Sequence, residues 1–459
     1  MLIQKVPPNH VRVLLVRDKG LDLLREAATR VLAGESPAPY MHEYEAAIKP
    51  WTVDYEFGAI ALGPGRPDAA LSPDALRPEN ATRFLIRAFI HADAVAHGFF
   101  QGGRIFADPP TASFKTCITS PAVGTTSTVG RQLGIHTLMT HGLDGLDVTI
   151  AVVDSGIYLP HLIKRLERAP LTDPANSWRP LDPLSTEPFG HRLGHGTMCA
   201  YDALIAAPNA TLLDVPMLLT RAPGQEHSTE GTIGAASHAF RHLECRWNSG
   251  QLKACEALVI NNSWGIYHPS LDFDPGHPGR YIDNPEHPFH EMVSEMAQFD
   301  IDILFAGNNC GEHCKSPTCL SQWKEMIMGA SGYKEVLTIA GCDTDDEIVD
   351  YSTPGPSIRA MHQEKPDITA YTHFIGAQTQ RAWLPDAGVS AACGVASGCV
   401  AALRSKRPAK KVSPADLFGI LRESARGGVG GGPGGQWSRE YGYGIIDPVA
   451  AARKLGLVP

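Results

Sequence analysis

No stretch of this 459-residue chain approaches the ~20 consecutive apolar residues that a membrane-spanning helix needs. No run of lysine or arginine is present. Asp plus Glu, at 49, outnumber Lys plus Arg, at 40, for a net charge of −9. That balance excludes a nucleic-acid binder that works by a basic patch. Ten cysteines are thinly spread over a long chain, which excludes a small disulfide scaffold. No internal repeat is evident. The N-terminus offers only a short apolar run, Val13 to Val16, bracketed by Arg12 and by Arg17-Asp18. That run is too short and too charged for a signal-peptide core, so a cytoplasmic protein is expected, with export as the alternative.

What is abundant is apolar material, 43% of residues against 19% charged, which is enough for a sizeable core. Gly 45 and Pro 36 imply many turns and irregular loops. Val11–Val16 reads as a buried strand, and Leu21–Leu32 has helical spacing. Trp51–Leu62 reads as a strand. Asn80 is placed to cap a helix running from Ala81 to about Phe100. Arg104–Ala107 reads as another strand. These elements predict a small α/β domain over residues 1–108, followed by a linker, 109–128, rich in Pro, Ser, Thr and Gly.

Residues 129–459 follow a different pattern. Short apolar runs at Val148–Val153, Thr211–Val215, Ala257–Ile260, Ile301–Ala306 and Val336–Ala340 have the length of fully buried strands. Helical segments such as Gly231–Leu243 and His290–Phe299 lie between them. Ser413-Pro414-Ala415-Asp416 is a helix start. Strand alternating with helix predicts a largely parallel, doubly wound sheet, with its ligands beyond the carboxyl ends of the strands.

Three segments can bring chemistry to that edge. Val152-Val153-Asp154-Ser155-Gly156 ends a strand in an acid, Gly194-His195-Gly196-Thr197 opens a helix, and Gly388-Val389-Ser390-Ala391-Ala392 opens another. A serine hydroxyl needs a base to take its proton, and imidazole suits that task. A buried carboxylate on the other ring nitrogen fixes the useful tautomer. Asn308, in Phe305-Ala306-Gly307-Asn308, follows a buried strand and can offer its amide to a developing oxyanion.

These segments, in this order, resemble the subtilisin-like serine peptidases, the subtilase family. Asn261-Asn262-Ser263-Trp264-Gly265 is similar to the family's substrate-binding strand. Lys365-Pro366-Asp367-Ile368-Thr369-Ala370 and Gly442-Tyr443-Gly444-Ile445-Ile446-Asp447-Pro448 are similar to its later motifs. The resemblance implies a subtilisin-like α/β fold and endopeptidase activity through an acyl-enzyme. It assigns Asp154 as the orienting acid, His195 as the general base, Ser390 as the nucleophile and Asn308 as the oxyanion donor. It assigns Ser263, Trp264, Gly265 and Gly307 to substrate binding, with a protein or peptide as the partner. Val389 and Ala391 depart from the family's usual Thr and Met, which implies a weaker catalyst. Thr197–Thr211 is too short for the family's calcium loop, so no metal or cofactor is expected.

Alternatives stay open beside these readings. Cys310, Cys314 and Cys319, with His313, have spacings that suit either a disulfide loop or zinc. Cys199, Cys393 and Cys399 read as small core residues. Gly427–Gly435 reads as a surface loop and Thr344–Glu347 as an acidic turn. The N-terminal domain reads either as a propeptide-like inhibitor or as a retained accessory domain. The fold also suits a catalytically silent peptide-binding scaffold, or a maturation protease dedicated to one partner.

Overall fold

The structure is a computed structural model. It describes residues 9–47, 52–65, 71–95, 99–100, 103–113, 116–117, 120–180, 187–192, 194–218, 230–252, 255–313, 319, 325–379, 383–406, 411–430 and 434–459. No helix among them is long and apolar enough to cross a membrane.

The N-terminal unit is a six-stranded antiparallel sheet. Its strands are β1 (His10–Arg17), β2 (Thr52–Val53), β3 (Ala59–Leu62), β4 (Arg83–His91), β5 (Phe99–Phe100) and β6 (Gly103–Ala107). The order is β2-β4-β1-β6-β5, with β3 also on β4. The expected helix from Ala81 is therefore a strand. Phe84 through Ile90 are all buried, Arg87 included, and the polar residues Arg83, Arg87 and His91 fall four apart, a spacing that imitates one face of a helix. The expected strand Trp51–Leu62 is two short strands, separated by a turn in which Gly58 takes φ 68°.

Alternate residues of this sheet serve two cores. Val13, Leu15, Ala59, Ala61, Phe84, Ile86, Ala88 and Ile90 pack with Leu24, Ala27 and Ala28 of the Leu21–Leu32 helix and with Met41 and Tyr44 of the Ala38–Ala47 helix. Leu14, Ile60, Leu62, Leu85 and Phe106 join a second cluster with Ile233, Phe240, Phe289 and Met292 of the C-terminal region. The period of two along each strand thus points one face at the unit's own helices and the other at the rest of the protein.

The C-terminal region is built on a seven-stranded parallel sheet. Its strands are β8 (Val148–Asp154), β9 (Leu171–Thr172), β10 (Thr211–Pro216), β12 (Ala257–Asn262), β14 (Asp302–Ala306), β15 (Leu337–Cys342) and β16 (Ile368–Tyr371). The order is β16-β15-β14-β12-β8-β10-β9. Most of these strands are buried on both faces, which is why they read as short, mainly apolar runs. The chain leaves β8 towards β10 and later returns to its other side at β12. The switch point lies between them, and Asp154 ends β8 there. Arg404, wholly buried in this core, makes two 2.6 Å bonds to Asp302. The expected segment 109–128 carries a strand of its own, β7 (Pro110–Ser113). It lies between β11 (Glu230–Thr232) and β13 (Trp264–Ile266) in a three-stranded antiparallel sheet.

Candidate active site at the carboxyl edge of the parallel sheet

Asp154 is fully buried at the end of β8. Both of its oxygens accept from His195 Nδ1, at 2.7 and 3.0 Å. His195 stands in the first turn of the Gly194–Ala206 helix. Two bonds pin that helix start to the turn after Asp154: Gly196 N–H donates to Ser155 Oγ (3.0 Å), and Tyr158 N–H donates to Thr197 Oγ1 (2.9 Å). A side chain at 196 would meet the Gly156 carbonyl oxygen at 2.5 Å, so only glycine lets the helix come this close.

Ser390 opens the Val389–Arg404 helix and is 1% exposed. Its Oγ donates to the Ser263 carbonyl oxygen at 3.4 Å, and Ser263 Oγ donates to the Ser390 carbonyl oxygen at 3.2 Å. Among the described residues no hydrogen bond joins Ser390 to His195. Cys199, one turn on from His195, spans the gap, with its Sγ 3.9 Å from both Asp154 Oδ2 and the Ser390 carbonyl oxygen. Burial pushes its thiol well up, helped by the Asp154 charge. Asp154, His195 and Cys199 place possible ligand atoms within 4.8 Å of one another. A thiol held protonated and a carboxylate already bonded to imidazole make a poor metal centre.

Behind Asp154 lies a second buried acid. Asp214 on β10 accepts from Ile157 N–H (3.0 Å) and Phe189 N–H (2.6 Å), holding the segments that follow Asp154 and precede His195. Burial pushes its carboxyl up to about 7 against those bonds. An acid inside the apolar run Thr211–Val215 was the sequence signal for it.

The asparagines divide differently from expectation. Asn308 takes φ 87° and its Nδ2 donates to the Met326 carbonyl oxygen at 3.1 Å. Asn309 faces Ser390 instead: its Oδ1 accepts from Val389 N–H (2.8 Å) and its Nδ2 donates to Thr116 Oγ1 (2.9 Å). Gly307 N–H is spent on the Ile339 carbonyl oxygen. Gly388, at φ 84°, has Asn309 Nδ2 and Thr116 Oγ1 each 2.9 Å from where a Cβ would sit. Nothing in the sequence singled out Thr116. Cys310 and Cys319 form a disulfide, which removes both from any zinc site; Cys314 lies outside the described residues. Cys117, next to Thr116, is also disulfide-bonded.

Ser263-Trp264-Gly265 form the edge expected to receive an extended peptide. The Trp264 indole is fully buried, with Nε1 donating to Asn262 Oδ1 at 3.2 Å, so it meets the cleft only through its backbone. The chain itself occupies that edge. Ser113 pairs with Trp264, Ala112 with Gly265 and Thr111 with Ile266, while β11 covers the other side of β7. Upstream, Asp108 anchors this strand. It accepts from Gly234 N–H (2.7 Å) and Arg87 Nε (2.8 Å) and pairs with Arg12 Nε (3.0 Å). Burial opposes its charge, but the Arg87 and Arg12 guanidiniums outweigh it and hold the carboxyl below its ordinary value.

An acid–imidazole pair and a serine on a helix start, gathered at the switch point of a parallel sheet, define a hydrolase-type constellation. Residues 145–444 match the Subtilase family, and the chain belongs to that family of serine proteases. Among solved structures it is similar to MycP1 with its N-terminal propeptide removed, at 20% identity and a TM-score of 0.48, over 71% of this chain and 96% of that one. It is also similar to the serine protease MycP1 described as an essential component of the type VII (ESX-1) secretion system. That match has 18% identity and a TM-score of 0.45, over 75% and 94% of the two chains. MycP1 from Mycobacterium smegmatis matches at 18% identity and a TM-score of 0.45, over 75% and 90%. No curated protein matches the sequence.

Proposed function

We propose that the protein is a serine endopeptidase that cleaves peptide bonds through an acyl-enzyme, and that its N-terminal unit, residues 1–108 with the arm that follows, inhibits it from within. The observation that carries this reading is the meeting at one sheet edge of the Asp154–His195 pair, Ser390, and an extended strand already seated where a substrate strand adds.

The chemistry follows from the parts. Asp154 accepts the Nδ1 proton of His195, leaving Nε2 free to act as base. Ser390 Oγ attacks the scissile carbonyl carbon as His195 takes its proton. The C–N bond then breaks, and the amine leaves with that proton. Water, activated by the same imidazole, hydrolyses the ester. The Ser390 hydroxyl swings from the Ser263 carbonyl to His195 as substrate binds, in keeping with the loose catalytic bonds of unliganded enzymes. Ser390 N–H lies in the first turn of its helix, where no intrahelical acceptor reaches it, and serves the oxyanion. The side-chain donor in this reading is Asn309, whose Oδ1 is fixed by Val389 N–H and whose Nδ2 donates to Thr116 Oγ1 beyond the seated strand. Asn308 is turned to Met326.

A fluorophosphonate probe tests the proposal. The expected result is slow covalent labelling of the full chain and none of Ser390→Ala. Thr111→Asp puts an unpaired charge at a fully buried site of the seated strand and is expected to speed labelling about tenfold or more. If neither the wild type nor Thr111→Asp is labelled, the silent scaffold is the better reading.

A further inference from the structure

Asp202 stands two turns after His195 on the same helix and is fully buried. Neither of its oxygens receives a bond from a conventional donor among the described residues. Its neighbour is another acid, Asp386, four residues before Ser390, and the two carboxyls lie within hydrogen-bonding reach of each other. Asp386 is itself tightly held. It accepts from Ala377 N–H and, at 3.4 Å, from Gln378 N–H, while its backbone pairs with His373 and Phe374. The Asp202 Cβ lies 3.0 Å from where a Cβ at Gly394 would sit, so the acid packs directly on the Ser390 helix.

Two buried carboxylates side by side repel, whereas one carboxyl and one carboxylate share a strong hydrogen bond. We infer that Asp202 is a positioning residue whose protonated carboxyl donates to Asp386 and so ties the His195 helix to the loop that delivers Ser390. The inference rests on the peptidase reading for its consequence, but the pair itself does not.

The surroundings favour one retained proton. Arg165 lowers Asp386 electrostatically and donates to the Gly376 carbonyl oxygen at 2.9 Å, but no cation acts on Asp202 among the described residues. His161 bonds the Ala377 carbonyl oxygen, while Tyr201 and Cys199 flank Asp202 on its own helix. Burial pushes Asp202 well up and Asp386 up to about 6. An unfolded Asp gives up its proton near about pH 4. The native state is therefore favoured most below that pH, and the advantage is lost as pH rises through the folded values.

Two full-length variants test this. Asp202→Asn keeps a donor to Asp386 with no proton to lose, and Asp202→Leu removes the bond. The thermal-unfolding midpoint and the fluorophosphonate labelling rate are followed from about pH 5 to about pH 9. The wild-type midpoint and labelling rate are both expected to show an alkaline decline. Asp202→Asn is expected to reduce that decline by at least about half in both readouts. Asp202→Leu is expected to label about tenfold or more slowly than Asp202→Asn at every pH, because Asp386 is left without its partner. An Asp202→Asn midpoint as steep in pH as the wild type overturns the inference whatever the labelling shows. A flattened midpoint in a protein that never labels keeps the pair and removes the peptidase reading instead.

Discussion

The two sheets of this protein bury their strands for different reasons. In the parallel sheet, β8 and β12 pack on both faces against helices of the same region, and before their polar carboxyl ends they are apolar apart from Thr149. In the N-terminal sheet, β4 is as fully buried, but only one face meets the unit's own helices. The other face, carrying Leu85, meets the C-terminal region. Arg87 on that second face reaches Asp108 and Thr232 Oγ1. The N-terminal unit therefore has no finished surface where it docks. Its second face is a core face, completed by the region it is proposed to inhibit, and its sequence is written for the docked state.

That contrast can be broken in order of expected effect. Arg87→Leu leaves the Asp108 carboxylate buried with less compensation. It is expected to cost about 3–5 kcal/mol of the stability that holds the strand in place, read by denaturant unfolding and by faster proteolysis within residues 109–128. Asn309→Ala is expected to lower peptidase turnover about 10²–10³-fold, the scale of losing one oxyanion donor, while Asn308→Ala lowers it far less. Equal losses for both would return the donor to Asn308. Acidification tests the anchor without mutation. Asp108 is held below its ordinary value, so its contribution is complete above about pH 4 and is lost as pH falls through the lower folded value. Labelling of Ser390 after a brief acid step is expected to quicken in the wild type and to lose that acid dependence in Asp108→Asn. Arg104→Ala removes a largely exposed pair with Glu286. It is expected to change stability by less than about 1 kcal/mol; a larger loss would show that the interface depends on its rim.

Legibility in the sequence followed the same division. Strands buried within one region announce themselves as short apolar runs, and Asp154 at a strand end and His195 and Ser390 at helix starts stood out by residue type and order. β4 was misread because a strand buried on both faces leaves no polar alternation, and its second face depends on residues some 150–200 positions away, such as Ile233 and Phe289. The contact of His195 with Asp154 was legible because each is fixed by its local segment. The bond from Val389 N–H to Asn309 was not, because the backbone of Asn308 at φ 87° decides which amide faces Val389. Asp202 and Asp386 lie far apart in sequence, and only the packing of two helices brings them together. Pro110–Ser113 sat in a stretch read as linker because its strand character comes from the two edges that clasp it, not from its own residues.

The middle position of β7 has one more consequence. A strand paired on both sides leaves two raw edges when it departs, those of Glu230–Thr232 and Trp264–Ile266. Open strand edges template any extended chain, including another copy of the same protein. Under the proposed inhibition the seated segment is therefore a sheath as well as a stopper: while it stays paired, neither edge is open to a second copy of the chain.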